Sequence, residues 1–240
     1  PNMSELGADG VHEGTVRYEI GNDALKPEHS LQIDLGADYN SSILTAQVAL
    51  FANRISNYIF AHRIDQVVEE GYLTYEYAQG DARLWGFEAG FDLHPVHRIH
   101  LGNTFSYVNA VQRHQPADTK YLPLTPAPRW TADVKYELSH GGRHFDNAYV
   151  SVGMEHCFKQ NHYYRADDTE TATPSYTLVN LSGGTDLFFN KRKVAEVYIT
   201  VSNLFNCAYQ NHLSRLKYTD VNVVTGRQGI CNMGRNITLK

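Results

Sequence analysis

The dominant pattern in the chain is an alternation of apolar and polar residues, which is typical of β-strands that present one side to water and the other to an apolar environment. Residues 31–39, for example, carry Leu, Ile, Leu, Ala and Tyr at odd positions, with Gln, Asp, Gly and Asp between them. The pattern predicts an all-β protein and no helix of consequence. We predict nine strands, at 31–39, 43–60, 72–93, 98–112, 128–138, 145–158, 175–188, 193–205 and 229–240.

The connections between these predicted strands alternate in length. Short turns are expected at 40–42, 94–96, 139–142 and 190–192, and longer polar loops at 61–71, 113–127, 159–174 and 207–227. Short turns at one end and long loops at the other are typical of outer-membrane barrels, with the turns on the periplasmic side. This arrangement assigns residues 1–28 to an external loop.

Strand length and the polar face favour a membrane barrel over a soluble β-sandwich binding module, whose half-buried strands also alternate. The predicted strands often exceed about 12 residues, whereas strands in globular proteins average nearer 5–6. An apolar run on one face from Trp85 to Leu93 matches the ~25 Å apolar band of such barrels, with a Trp at its edge. The opposite face carries charges such as Asp133, Lys135 and Glu137, as a wet lumen wall would. We therefore predict an antiparallel transmembrane β-barrel portion.

Composition narrows the function classes further. The net charge is -5 with no basic stripe, so nucleic acid is not an expected partner. No run of about 18 apolar residues exists that could form a transmembrane helix. The chain shows no nucleophile–base constellation and no phosphate-binding loop, so we predict that it is not an enzyme and assign it no cofactor.

Five segments resemble TonB-dependent outer-membrane receptors. They occur in the family's order and span nearly the whole chain. They read GVHEGTVRYEIGNDALKPEHS at 10–30, DARLWGFEAGFDLHP at 81–95, PAPRWTADVKYE at 126–137, VSNLFNCAYQNHLSRLKY at 201–218 and TGRQGICNMGRNITLK at 225–240.

The resemblance implies that residues 1–240 are the C-terminal portion of a 22-stranded receptor barrel, forming an open, curved sheet. Both ends are then expected to be cut ends, with the plug domain and the TonB box absent. The resemblance also implies location in the bacterial outer membrane, contact with lipid, and coupling to the TonB energy-coupling complex through the missing N-terminal region. The parent would import a scarce ligand such as a ferric siderophore, haem, cobalamin or a glycan, and an iron complex is favoured. A passive porin-like barrel is the alternative.

Two clusters in the predicted external loops are candidates for ligand binding. Arg pairs with anionic groups, and Tyr and His can stack on or ligate a ferric complex. The alternative is that these residues pack the loops together. No metal-ligating set is assigned. The candidates are His162, Tyr163, Tyr164 and Arg165 in one loop, and Tyr209, His212, Arg215 and Tyr218 in another.

Three smaller features of the sequence also carry predictions. Cys207 and Cys231 bracket the last external loop and can form a disulfide in an oxidising compartment. Asn103 occupies an apolar position, which predicts a bulge or a register slip there. Most of the twelve histidines are scattered, and those at or beside short turns are interpreted as solvated turn residues: His94, His97, His100, His140 and His144.

Overall fold

A computed structural model of the chain describes residues 1–139, 142–166 and 170–240. Within them a short helix, α1 (Met3–Gly7), precedes the strands, and a single turn of 3-10 helix covers Arg215–Tyr218. No described helix has the length and apolar character needed to cross a membrane. The strands are β1 (Asp9–His12), β2 (Arg17–Ile20), β3 (His29–Asn40), β4 (Leu44–Ile64), β5 (Leu73–Val96), β6 (Ile99–Arg113), β7 (Arg129–Ser139), β8 (Phe145–Cys157), β9 (Tyr176–Phe189), β10 (Arg192–Ser202) and β11 (Asn236–Leu239).

All eleven strands belong to one sheet, in which β3 to β11 follow one another as antiparallel neighbours in chain order. The hairpin of β1 and β2 attaches to the N-terminal part of β5, at residues 73–76, where β2 runs parallel to β5. Among the described strands β3 pairs only with β4, and β11 only with β10. The sheet is therefore open, as the sequence predicted for this portion of a barrel.

One face of the sheet is apolar and exposed. In β3, β4 and β5 the register aligns Leu35 with Leu50 and Leu50 with Phe87 on this face. Leu31 is 69% exposed and Leu35 is 63% exposed, although both are large aliphatic side chains. Exposed apolar surface that is continuous over several strands marks a membrane or protein interaction surface.

Aromatic side chains from neighbouring strands reinforce this apolar face. Phe87 on β5 stacks on Phe105 on β6, with 5.6 Å between ring centroids. Trp85 lies 5.3 Å from Tyr107, and Phe105 aligns with Trp130 on β7. Such cross-strand aromatic pairs each contribute roughly 0.2–1 kcal/mol to sheet stability.

Asn103 does not mark a bulge, so that prediction was wrong. The β5–β6 and β6–β7 registers are continuous through it, with Phe91 opposite on one side and Ala132 on the other. The indole N–H of Trp130 donates to Asn103 Oδ1 at 3.2 Å. A polar side chain is tolerated on the apolar face because it accepts the only hydrogen bond that the Trp130 side chain can donate.

The predicted strand ends were wrong at the C-terminal side. β10 ends at Ser202 rather than 205, because Asn203 adopts a positive φ of 51° and its Oδ1 accepts the N–H of Cys207 at 2.8 Å. The last strand begins only at Asn236, since residues 229–235 follow an irregular path. Parts of the predicted turn at 139–142 and of the loop at 159–174 lie outside the described residues.

Residues 1–28 contain more structure than the external loop predicted for them. Besides α1, the β1–β2 hairpin extends the sheet beyond the end of β6. The segment that follows is held on β5 by Gln79, whose Nε2 donates to Lys26 O at 2.6 Å and whose Oε1 accepts from Lys26 N at 2.8 Å. Strands of four residues are too short to give a clear period-two signal in the sequence.

Candidate functional site

Three long loops interlock at one end of the sheet, and the buried carboxylate of Glu170 lies where they meet. The loops follow β6, β8 and β10. Glu170 is only 4% exposed. Its Oε1 accepts the backbone N–H of Leu124 from the first loop, and its Oε2 accepts the N–H of Tyr164 at 3.1 Å. The carboxylate thus ties the first loop to the second.

Lys217 ties the third loop to the second. Its side chain is buried, and its Nζ donates to Thr171 O at 2.8 Å, Ala172 O at 3.2 Å and Thr173 Oγ1 at 2.8 Å. An ammonium group has three protons, so these bonds use its full donor capacity. The phenol oxygen of Tyr218, the next residue, accepts the N–H of Thr171 at 3.2 Å.

His212 completes the buried contact between the second and third loops. Its Nδ1 lies 2.8 Å from Thr173 Oγ1, and its Nε2 lies 3.9 Å from Glu170 Oε2. The Nε2 atom makes no hydrogen bond with any residue that the structure describes. With the residue only 2% exposed, His212 supports the loops from within and does not face the outside.

Burial changes the titration of all three groups. Burial raises the pKa of Glu170, whereas the backbone N–H groups of Leu124 and Tyr164 and the Lys217 ammonium lower it in part. It lowers the pKa of Lys217, although the Glu170 carboxylate opposes the change. Burial, aided by Lys217, lowers the pKa of His212 to about 4, so this imidazole is neutral at physiological pH.

Beside this cluster lies a cavity of about 600 Å³, which we call the loop-end cavity. Residues from the N-terminal hairpin, β4, β5 and all three loops line it, among them Arg17, Tyr75, Tyr164, Arg215 and Tyr218. The Arg17 guanidinium lies 4.6 Å from the centroid of the Tyr75 ring, and its Nε lies 2.7 Å from Glu19 Oε1.

Arg215 differs from Arg17 in that no hydrogen bond or ion pair occupies its guanidinium within the described part of the chain, and the residue is exposed. A cavity with one free guanidinium, a second one stacked on a phenol ring, and further phenol walls can receive an anionic, partly aromatic ligand.

The structure brings together only some of the residues predicted from the sequence. Tyr164, Arg215 and Tyr218 line the loop-end cavity, although they come from two different predicted clusters. The exposed His162 ring stacks on Tyr121 with 4.7 Å between centroids, at a smaller cavity of about 140 Å³.

The other two members of the first cluster, and Tyr209 of the second, lie apart from the loop-end cavity. The Arg165 guanidinium lies 5.1 Å from the centre of the Tyr163 ring. Tyr209 lies 4.5 Å from Tyr176, beside a third cavity of about 300 Å³. As ligand contacts, all eight residues of the two predicted clusters stay predictions.

The cysteines are free thiols in the structure, so no disulfide joins Cys207 to Cys231 here. Both are half-buried, and Cys231 borders the cavity beside Tyr209. Formation of the bond under oxidising conditions stays a prediction.

Sequence reasoning missed several residues of the site. Glu170 and Lys217 look like ordinary loop charges in the sequence, and Arg17 and Tyr75 lie far from the three loops along the chain. Arg17 and Lys217 carried a signal, because each belongs to a segment that resembles the receptors. No periodicity marks the others, since their partners come from other loops.

The family comparison covers most of the chain. Residues 1–204 match the family model described as TonB dependent receptor-like, beta-barrel. The similar solved structures have low sequence identity to this chain, so the similarity to them shows the fold alone.

Three of these structures illustrate the range. The copper transporter OprC has a TM-score of 0.77 at 18% identity, covering 100% of this chain and 34% of its own. The FrpB iron transporter from Neisseria meningitidis has a TM-score of 0.65 at 15% identity, covering 93% and 32%. A mutant of the ferric enterobactin receptor PfeA from Pseudomonas aeruginosa has a TM-score of 0.61 at 19% identity, covering 100% and 35%.

The chain thus spans about a third of the length of these structures. With the family model matched over residues 1–204, and with a single open sheet of the expected order, the chain belongs to the family of TonB-dependent receptors, within their β-barrel domain.

Proposed function

We propose that the receptor to which this chain belongs binds a ferric siderophore or another anionic iron complex in the loop-end cavity and imports it across the bacterial outer membrane. The observation that carries this proposal is the cavity itself, which residues of three loops and the N-terminal hairpin line together with Arg215, whose guanidinium has no hydrogen bond or ion pair with the residues that the structure describes. Its volume of about 600 Å³ falls in the range of small-molecule sites, roughly 300–1,000 Å³.

The chemistry of the cavity wall suits such a ligand. Arg215 and Arg17 supply positive charge, and Tyr75 and Tyr218 supply aromatic surface. Guanidinium groups bind carboxylate-type oxygens in a bidentate manner, and phenol rings stack on planar chelating groups. The described lining contains no cysteine or methionine, the soft donors that favour copper(I).

The known structures of similar fold are consistent with this class of ligand without deciding it. FrpB is described as an iron transporter and PfeA as a ferric enterobactin receptor, whereas OprC is described as a copper transporter. The family consists of receptors and transporters, not enzymes. We therefore extend the iron assignment to this chain on the strength of the cavity chemistry.

The remaining parts of the mechanism belong to the whole receptor. Lipid covers the exposed apolar face of β3 to β5, the lumen face meets a plug domain, and the TonB complex supplies energy through the N-terminal region. The rigid sheet positions the three loops, and rigid scaffolds with long loops are where binding residues concentrate.

The test uses the full-length receptor purified in detergent, with ferric catecholate, ferric hydroxamate and ferric citrate as probes. Arg215→Ala is expected to weaken binding of the preferred complex at least tenfold, because it removes the free cation of the cavity. Arg227→Ala, in the same loop but outside this cavity, is the matched control and should leave the affinity unchanged. Absence of binding to all three probes, or equal affinity of Arg215→Ala and the unmodified receptor, would refute the proposal.

A second measurement separates active import from a passive pore. Uptake of the bound complex into iron-starved cells is measured with and without an uncoupler of the inner-membrane proton gradient. The proposal requires that uptake stop when the gradient is removed, while surface binding persists. Uptake that continues unchanged would favour the porin-like alternative.

A further inference from the structure

A second cluster of polar side chains lies at the opposite end of the sheet, around the short turn between β5 and β6. Ligand atoms of Asp92, His94 and His100 all lie within 4.8 Å of one another. Nε2 of His94 is 3.5 Å from Oδ2 of Asp92, and the two imidazole rings meet edge to face with 4.4 Å between centroids. We call these three residues the turn cluster.

A β-bulge lies beside the turn cluster. The β5–β6 register pairs Leu93 with Leu101 and then Val96 with Ile99, so one extra residue of β5 is accommodated around His94 and Pro95. Pro95 has no N–H to donate to the ladder, which makes a bulge the natural solution there. Continuing the register one step from the Leu93–Leu101 pair places His94 opposite His100, on the face of the sheet that carries Asp92, and the bulge follows at Pro95.

The cluster corrects an expectation from the sequence. His94 and His100 are half-buried and in mutual contact, so interpreting them as solvated turn residues was wrong. His97 and His144 are exposed, as that interpretation requires, and His140 lies outside the described residues.

One carboxylate oxygen of the cluster lacks a partner. Although the Asp92 side chain is about half exposed (48%), its Oδ1 is shielded from solvent and accepts no hydrogen bond from any described residue. A shielded carboxylate oxygen without a donor destabilises the fold, because it has lost its hydration without gaining a hydrogen bond. A bound cation would remove this destabilisation.

Glu137 on β7 supports the cluster from behind. Its Oε1 lies 3.0 Å from Nε2 of His100, and Lys135 Nζ lies 3.5 Å from the same oxygen. A histidine that ligates a metal commonly donates its other ring N–H to a carboxylate, which fixes the ring and its tautomer. His100 therefore presents Nδ1 to the cluster when Nε2 is held by Glu137.

The surrounding charge also favours a cation. Asp92, His100, Asp133 and Lys135 line a shared cavity of about 440 Å³ on the polar face of the sheet. Gly102 makes room for the Asp133 carboxylate, since a Cβ at that position would collide with Oδ1 of Asp133. The carboxylates of Asp92, Asp133 and Glu137 and the ammonium group of Lys135 therefore surround the two imidazoles, so acidic groups outnumber basic ones here.

We propose that the turn cluster is a binding site for a divalent transition-metal cation such as Zn²⁺ or Cu²⁺, ligated by Asp92, His94 and His100 and supported by Glu137. Imidazole nitrogen with carboxylate oxygen is the donor set of these borderline cations rather than of Ca²⁺ or Mg²⁺. Bond lengths of about 2.0–2.2 Å place tetrahedral ligand atoms roughly 3.3–3.5 Å apart, as His94 and Asp92 already are. The site does not rest on the iron complex proposed for the loop-end cavity.

The first test titrates the metal-stripped full-length receptor in detergent with Zn²⁺ by calorimetry. The double variant His94→Ala/His100→Ala is expected to lose one Zn²⁺ equivalent per chain. Glu137→Gln should keep that site but weaken it about 10–100-fold, as changes to supporting carboxylates usually do. His97→Ala/His144→Ala is the matched control and should bind as the unmodified receptor does. Unchanged stoichiometry and affinity in the first double variant would overturn the proposal.

A second measurement needs no variant and so does not depend on folding of a mutant. Histidines of the unmodified receptor are labelled with diethylpyrocarbonate in the presence and absence of Zn²⁺, and the labelled positions are read by mass spectrometry. Zn²⁺ should protect His94 and His100 at least several-fold and leave His97 unprotected. Equal labelling of His94 and His100 with and without Zn²⁺ would overturn the assignment.

Discussion

Replacing Lys217 with Met should release the loops that wall the loop-end cavity. The substitution keeps an unbranched side chain, one heavy atom shorter, and removes its three donors, leaving Thr171 O and Ala172 O without that partner. It also removes the cation that offsets the buried charge of Glu170. The sheet itself makes none of these contacts, so its stability should not change.

The size of the effect follows from the hydrogen bonds and the charge that Lys217 supplies. A hydrogen bond to a charged group contributes about 1.5–3 kcal/mol, and removing one partner of a buried charge pair typically costs about 3–5 kcal/mol. The depressed pKa of Lys217 shows that its burial already carries a penalty, which Met would relieve. We therefore expect a net loss of about 3 kcal/mol in loop closure, since the opposing effects partly cancel. That corresponds to roughly 100-fold faster local opening.

The assay is amide hydrogen exchange of the full-length receptor in detergent, followed by mass spectrometry of peptides from the three loops. Faster exchange is expected at residues 170–176 and 209–219, including the amide of Thr173, which donates to Gln160 O at 3.0 Å across the second loop. Lys159→Met, an exposed lysine in the second loop, is the matched control and should leave exchange unchanged. Unchanged exchange in Lys217→Met, or an equal increase in the control, would show that the buried cluster does not hold the loops together.

Three further predictions concern the faces and the loops. Val48→Lys, on the exposed apolar face, should destabilise the barrel by about 2–4 kcal/mol, measured by urea titration in lipid vesicles. Gln47→Lys, on the opposite face, should be nearly neutral, and equal effects of the two substitutions would contradict the assigned faces. The free energy of loop closure should become less favourable as the pH falls from about 6.5 to about 4, because His212 takes up its proton at a higher pH in the open loops than in the closed ones. The loss is at most roughly 3 kcal/mol. Glu170, whose pKa is raised by burial, stabilises loop closure as the pH falls and so opposes the effect of His212. Hydrogen exchange in the unmodified receptor is therefore compared with exchange in His212→Gln at each pH. If exchange changes with pH in the same way in both proteins, His212 does not have this role. Gly229→Ala should loosen the third loop by at least about 1 kcal/mol in the same exchange assay, since φ is 73° there and the new Cβ would collide with the Lys217 carbonyl; unchanged exchange would count against it.

The long strands could be predicted from the sequence because each must alternate over its full length. The predicted bounds of β3 to β9 agree with the structure to within a few residues, since lipid-type and lumen-type side chains leave a period of two. The open sheet followed instead from the resemblance to the receptors, which implied that the chain is a portion of a 22-stranded barrel. Where the alternation is weak the prediction failed, as in β11, where only Asn236–Leu239 is extended.

The local details could not be predicted because they depend on partners distant in the chain. Asn103 looks like a defect until the indole of Trp130 is placed beside it by the β6–β7 register. Likewise, Ser202 is the last residue of β10 because Asn203 forms a side-chain cap, a choice that hydrophobic periodicity does not encode.

The candidate site likewise has a part that the sequence indicated and a part that it could not show. Tyr and Arg in long loops signalled binding chemistry, and Tyr164, Arg215 and Tyr218 do meet in one cavity. The sequence could not show that Glu170 joins Leu124 to Tyr164, because these residues belong to different loops. Nor could it show that Glu137 of β7 lies 3.0 Å from His100 in the turn cluster.

One face of this sheet should meet lipid and the other the polar lumen of the barrel, and the proposed import across the membrane depends on that orientation. Spin labels at consecutive positions 46 to 50 of β4, in the full-length receptor in lipid bilayers, test it most directly through collisions with oxygen and with a water-soluble nickel complex. We expect maxima for oxygen at Ala46, Val48 and Leu50, and maxima for the nickel complex at Gln47 and Ala49. Equal access of the nickel complex to all five positions, or the opposite phase, would contradict the two-faced sheet.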